Sequence, residues 1–152
     1  MDTKDRRILE LLQQNALLTA AELADEVGLT TTPCWRRIQK LEAQGYIRSR
    51  VALLDRQKMN VGITVFVSVR TGRHSRDWMD AFLQTISDTP EIVEAHRLSG
   101  DTDYLLRIVV PSIEEYDALY QQLIRKLEFL DVSSSFSMEE LKSTTAIPVR
   151  HA

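Results

Sequence analysis

Two successive patterns along this 152-residue chain predict an α+β protein of two domains. Residues 19–54 read as a helix, a tight turn ending on glycine, a second helix rich in cations and a short alternating tail, the layout of a winged helix-turn-helix. From Ile63 onward the order is strand, helix, strand, strand, helix, strand, the βαββαβ order of a ferredoxin-like sheet with both helices on one face. The expected boundaries are 1–54 for the N-terminal winged helix-turn-helix, 55–62 for a polar linker and 63–152 for the ferredoxin-like domain.

The first helix is expected from Asp2 or Thr3 to about Gln14, with Ile8, Leu9, Leu11 and Leu12 as a broad buried face. Thr19-Ala20-Ala21-Glu22 has the spacing of a capping box, in which hydroxyl and carboxylate satisfy each other's free backbone donors. Leu23, Ala24 and Val27 form the stripe of that short helix, and Gly28 lets the chain leave it. Thr30-Thr31-Thr32-Pro33 then opens the next helix, with proline in the first turn where its missing N–H costs nothing. On that helix Cys34, Ile38 and Leu41 fall on one face. Thr32, Arg36, Gln39 and Lys40 fall roughly opposite, with Trp35 and Arg37 at the flanks. Residues 46–54 alternate well enough for a two-stranded wing.

In the second domain, residues 63–70 form a β-branched strand, and Ser75 opens a helix with Trp78, Phe82 and Ile86 at fourfold spacing. Thr89-Pro90 ends it. Strands are expected over residues 91–98 and 104–110. Ser112-Ile113-Glu114-Glu115 caps a helix striped by Tyr116, Leu119, Leu123 and Leu127, and residues 131 to about 145 supply the last strand. Phe66 and apolar residues of matching parity on the other strands leave the second sheet face bare, so a second copy is expected to cover it.

Charge is distributed unevenly. The chain has 19 Lys+Arg against 22 Asp+Glu, an acidic total that argues against a nucleic-acid partner. Residues 36–58, however, carry Arg36, Arg37, Lys40, Arg48, Arg50, Arg56 and Lys58 against Glu42 and Asp55, a local excess of five positive charges. A basic patch of this kind drives DNA affinity through counter-ion release, and acidic residues farther off than the Debye length of about 8 Å do not cancel it. The expected DNA-binding residues are Thr31, Thr32, Trp35, Arg36, Arg37, Gln39, Lys40, Arg48 and Arg50. Arginine grips guanine by two hydrogen bonds, glutamine reads adenine and threonine touches a thymine methyl, so Thr32, Arg36 and Gln39 suit base edges. Arg37, Lys40, Arg48 and Arg50 suit the phosphate backbone.

Several classes are argued against. No apolar run approaches the roughly 20 residues that span a bilayer, and the N-terminus lacks the apolar core of a secretory signal, so a cytoplasmic protein is expected. The single cysteine leaves no internal disulfide framework, and Cys34 on a buried stripe reads as a small core hydrophobe. His74, His96 and His151 are too scattered for a metal site. No nucleophile elbow, P-loop or HExxH is present, so no catalytic residues are assigned and an enzyme is not expected. The competing reading is an amino-acid-binding oligomerisation module whose helix-turn-helix is degenerate; the intact basic face argues against it.

Asp5-Arg6-Arg7-Ile8-Leu9, Val27-Gly28-Leu29-Thr30, the run from Arg37 to Ile47, Gly100-Asp101-Thr102-Asp103-Tyr104-Leu105 and Met138-Glu139-Glu140-Leu141-Lys142 together resemble the Lrp/AsnC (leucine-responsive, or feast/famine) family of transcription regulators, over essentially the whole chain. Thr31-Thr32-Pro33-Cys34-Trp35 with Val51-Ala52-Leu53-Leu54-Asp55 is similar to a branch that responds to cysteine. The resemblance implies a regulator of double-stranded DNA, homodimers assembling to tetramers, octamers or larger, and a small amino-acid effector bound between second domains, with no other cofactor. It places Gly100, Asp101, Asp103 and Tyr104 in a loop bordering the effector, with Ser133 and Ser135 nearby on the last strand. Such residues suit an amino acid chemically, since N–H groups near a glycine hold an α-carboxylate and an aspartate holds an α-ammonium. Family members that respond to leucine carry a bulkier aromatic residue where this chain has Ser135, which argues against leucine itself.

Overall fold

The computed structural model describes residues 1–72 and 75–152, so His74 lies outside the described residues. The chain divides into two compact units, Met1–Leu53 with Leu141–Ala152 and Leu54–Glu140.

The first unit is built on three helices, α1 (Thr3–Gln14), α2 (Ala20–Val27) and α3 (Thr31–Ala43). Each apolar stripe is buried where helical periodicity puts it: Ile8, Leu9, Leu11 and Leu12 on α1, Leu23 and Ala24 on α2, and Cys34, Ile38 and Leu41 on α3 form one core. Gly28 ends α2 in the left-handed region at φ 64°, a conformation in which a Cβ is strained.

Residues 46–54, where a wing is expected, carry no strand pairing. Their polar groups are drawn onto the helices instead. The Tyr46 and Ile47 N–H groups both donate to the Leu41 carbonyl, and Arg50 reaches back to Glu42 and the Ala16 carbonyl.

The last twelve residues also depart from expectation. The sequence assigns residues 141–152 to the second domain, whereas they pack on α1. Gln13 acts as a two-way clasp there: its Oε1 accepts the Ile147 N–H at 2.7 Å and its Nε2 donates to the Ile147 carbonyl at 3.1 Å. Val149 joins the helical core, and Arg6 donates to the Ala152 carbonyl. Loss of this clasp in Gln13→Ala should lower hydrogen-exchange protection of the Ile147 amide about fivefold, for a net hydrogen-bond contribution of about 1 kcal/mol. Protection unchanged from the parent would rule out a holding role for Gln13.

The second unit is a four-stranded antiparallel sheet with β1 (Ile63–Arg70), β2 (Ile92–Arg97), β3 (Tyr104–Val110) and β4 (Asp131–Phe136), in the order β2-β3-β1-β4. Helices α4 (Arg76–Ser87) and α5 (Ile113–Lys126) complete the βαββαβ order. Val65, Val67 and Val69 of β1 and Leu106 and Ile108 of β3 pack against Trp78 and Phe82 of α4 and Tyr116 and Leu123 of α5. Strand β4 stops at Phe136, well short of residue 145. Beyond it, the Ser137 N–H still bonds the Thr64 carbonyl, and Arg56 joins Thr64 Oγ1 to Glu140.

Pairing register sorts the side chains between the faces. Because Val69 pairs with Tyr104 and with Val132, those residues share the helix-covered face. The other face presents two cross-strand rows, Glu94–Arg107–Phe66–Ser135 and His96–Leu105–Ser68–Ser133. The face expected to be apolar is therefore mixed, with Phe66 and Leu105 set among charged and hydroxylated neighbours.

Candidate nucleic-acid interface and effector face

The helix-turn-helix is held by local chemistry. Thr19 and Glu22 cap α2 reciprocally, with Thr19 Oγ1 accepting the Glu22 N–H at 3.2 Å and Glu22 Oε2 accepting the Thr19 N–H at 2.8 Å. The Leu29 N–H closes the helix end on the Ala24 carbonyl at 2.9 Å. Thr30 starts α3 without a side-chain cap, so its hydroxyl is not spent on the helix end.

With Cys34 fully buried, α3 turns Thr31, Thr32, Trp35, Arg36, Gln39 and Lys40 outward. Trp35 is 52% exposed, too open for a core residue and suited to lying against a large partner. Burial pushes the Cys34 thiol up from its ordinary range, which keeps it protonated and unreactive. Among the described residues, Arg36, Lys40 and Arg48 form no ion pair. Gln39 donates to Glu42 Oε2 at 3.1 Å, and Arg50 donates to the other oxygen of Glu42 at 3.0 Å. Two expected phosphate contacts are thus engaged within the protein: Arg50 by Glu42, and Arg37 by Asp2 and Asp5. The Gln39–Glu42 bond is legible as an i,i+3 neighbour on a helix surface, whereas the pairings of Arg37 and Arg50 join residues 8 to 35 positions apart and come from the packing.

In the second unit, the loop from β2 to β3 is tied to the end of β1. The Asp103 N–H donates to the Val69 carbonyl at 3.0 Å, and Asp103 Oδ2 accepts the Thr71 N–H at 2.8 Å. Gly100 adopts φ 121°, and Asp101 is exposed. Strand β4 starts at this same end of the sheet, where Arg70 pairs with Asp131.

Ser133 and Ser135 share the open face as the alternation anticipates, and Ser134 points the other way to bond the Tyr116 hydroxyl. Tyr104 does not join them. Its ring lies 4.7 Å from Phe82 and 5.8 Å from Trp78, its hydroxyl meets the Met79 sulfur, and it is 5% exposed. Its side chain belongs to the core and not to the open face, contrary to the expectation that it borders an effector. The signal was available: Arg107 marks the outward parity of β3, and Tyr104 lies an odd number of residues away.

Sequence reasoning did not single out Thr71, Ser68 or the pair Arg107–Glu94. Arg107 Nη2 donates to Glu94 Oε1 at 2.7 Å and holds the Glu94 carboxyl below the usual range, with His96 at 3.5 Å from its other oxygen. Arg107 Nε is buried without a hydrogen-bond partner. No cluster of His, Cys, Asp or Glu among the described residues has the grouping of a metal site. None of the described helices is long and apolar enough to cross a membrane.

A helix-turn-helix with cations turned outward, followed by an α/β unit with a polar loop and a hydroxylated strand, defines a DNA-binding regulator with a separate ligand-binding unit. Comparison with known proteins specifies the class. Residues 1–48 match the model for winged helix-turn-helix DNA-binding domains, and residues 64–147 match that for the Lrp/AsnC ligand binding domain. The glutamate uptake regulatory protein of Zymomonas mobilis is 52% identical over 149 residues, 98% of this chain and 91% of its own. Among solved structures, an AsnC family transcriptional regulator from Agrobacterium tumefaciens superposes with TM-score 0.95 at 56% identity, covering 99% of both chains. The transcriptional regulator NMB0573 of Neisseria meningitidis, solved as a complex with L-Met, gives 0.94 at 34% identity, covering 99% of this chain and 98% of its own. The chain belongs to the Lrp/AsnC family of DNA-binding transcriptional regulators. Its relatives are regulators rather than enzymes.

Proposed function

We propose that the chain reads specific DNA sequences through α3 and that an amino acid held by the second unit sets its occupancy of DNA. The division of α3 carries this reading: a buried stripe of Cys34, Ile38 and Leu41 opposes an outward face of donors and cations. In this assignment Thr32, Arg36 and Gln39 meet base edges, while Thr31, Trp35, Lys40, Arg48 and Arg50 meet the backbone. Arg50 can do so only by exchanging Glu42 for a phosphate.

The effector-contacting set is Gly100, Asp101, Asp103, Ser133 and Ser135. A small hydroxylated strand and two aspartates suit a short polar amino acid better than leucine. L-methionine, bound by the Neisseria relative, is a candidate through that likeness alone, since its side chain is as long and apolar as leucine's. Glutamate, named in the Zymomonas relative, is another, and cysteine is the effector of the branch that Thr31–Trp35 with Val51–Asp55 resembles. The open sheet face with Phe66 and Leu105 suits a second copy, giving a homodimer that assembles to a tetramer, octamer or larger particle in the cytoplasm. An effector shifts such an assembly only by its different affinities for the two states.

Thermal-shift screening of the full chain against the twenty amino acids tests the effector. At a hundred times its Kd a ligand adds about 2.7 kcal/mol, a shift of several degrees. Asp103→Asn keeps an oxygen for the Thr71 N–H but removes the charge; the shift should vanish while DNA affinity without ligand stays within about twofold. An undiminished shift would remove Asp103 from the effector set. A wild-type chain that binds no duplex in low salt would refute the regulator reading itself.

A further inference from the structure

Arg37 is held where it cannot readily serve as a phosphate contact. Its Nη1 donates at 2.7 Å to Asp2 Oδ2 and at 2.7 Å to Asp5 Oδ1. The same two carboxylates cap α1 reciprocally: Asp2 Oδ1 accepts the Asp5 N–H at 2.9 Å, and Asp5 Oδ2 accepts the Asp2 N–H at 3.0 Å. All four carboxylate oxygens are engaged, two by backbone and two by Arg37. With both carboxylates bonded to it, Arg37 has its charge committed within the protein and must break two short ion pairs before it can reach a phosphate. From the same turn of α1, Lys4 Nζ donates at 2.7 Å to the carbonyl of Gly28, the residue that ends α2. The first turn of α1 therefore grips both the turn that leads into α3 and α3 itself.

We propose that Arg37 is a positioning residue, which sets the angle of α3 against DNA through Asp2 and Asp5 and makes no DNA contact of its own. The proposal rests on α3 being the DNA-reading helix. A tilt of about 10° moves a side chain about 10 Å along a helix by roughly 2 Å, more than the ~0.5 Å spread of good hydrogen-bond lengths. Arg36 lies next to this anchor, and Thr32 one turn before it, so both lose their aim when the anchor goes. Phosphate contacts from flexible lysines and arginines elsewhere tolerate such a tilt.

The test uses a duplex that the full-length wild-type chain selects from a random-sequence library, a scrambled duplex of equal length, and Kd measured by fluorescence anisotropy across a salt series. Melting curves set the working temperature below the transition of every variant. Arg37→Ala is expected to lower the preference for the selected duplex at least tenfold while leaving the slope of log Kd against log salt at the wild-type value. Asp5→Ala, which removes no cation, is expected to lose the same preference, and the double variant Arg37→Ala/Asp5→Ala to lose no more than either single. A phosphate contact gives the opposite pattern: the salt slope falls by about one for Arg37→Ala, and preference survives. That pattern, or a wild-type preference retained by Asp5→Ala, overturns the proposal. A wild-type chain that selects no duplex overturns sequence reading by α3 itself, an outcome distinct from failure of the variants.

Discussion

Trp78→Ala is expected to cost the second unit about 3–5 kcal/mol, the range for a large aromatic removed from a core. Trp78 stacks on Phe82 with ring centroids 4.9 Å apart and planes 17° from parallel, and meets the edge of Phe129 at 6.2 Å and 87°. Its indole N–H donates to the Glu128 carbonyl at 2.9 Å, fastening α4 to the segment that leads into β4. A domain is typically stable by only about 5–15 kcal/mol in total, so this single change should bring the unit close to unfolding at ordinary temperature. Urea unfolding followed by circular dichroism measures it, since the remaining tryptophan, Trp35, reports on the first unit. Trp78→Phe keeps an aromatic ring for the stack but loses the donor and the volume of the second ring, so it should recover about half of the loss. A cost below about 1 kcal/mol for alanine would contradict the packing described for α4.

The largest functional effect is expected at Arg36. Its side chain is outward on α3 and forms no ion pair among the described residues, so its two-toothed donor set is free for a guanine edge. Arg36→Ala should weaken binding to a selected duplex by about 1–3 kcal/mol, roughly 5- to 150-fold, with a much smaller loss on scrambled DNA. Arg48→Ala should behave differently: all sequences weaken about equally and the salt slope falls by about one. Matched losses on both duplexes for Arg36→Ala would assign it to the backbone instead.

Helix positions are legible because their causes are local. The reciprocal cap of Thr19 and Glu22, the turn at Gly28 and the stripe Cys34–Ile38–Leu41 each depend on residues a few positions apart. The βαββαβ order is equally readable from β-branched runs alternating with helical stripes. The open sheet face is legible in part: Ser133 and Ser135 fall on it by simple alternation, whereas Tyr104 sits in an apolar run whose parity only Arg107 reveals. The two strands expected within residues 46–54 do not pair, because alternation gives a strand's habit without supplying a partner strand. The clasp of residues 141–152 on α1 joins positions more than 130 apart in sequence, a pairing no short window contains.

Sequence alone determined which segments become helices and strands, which of their faces are apolar and where positive charge concentrates, because short-range sterics, capping and periodicity decide those. Only the tertiary structure decided which cations remain available. Long flexible side chains such as Arg37 and Arg50 take whichever acceptor the fold brings near, and that choice turns a few ångströms of helix packing into the difference between a cation paired within the protein and one left facing outward.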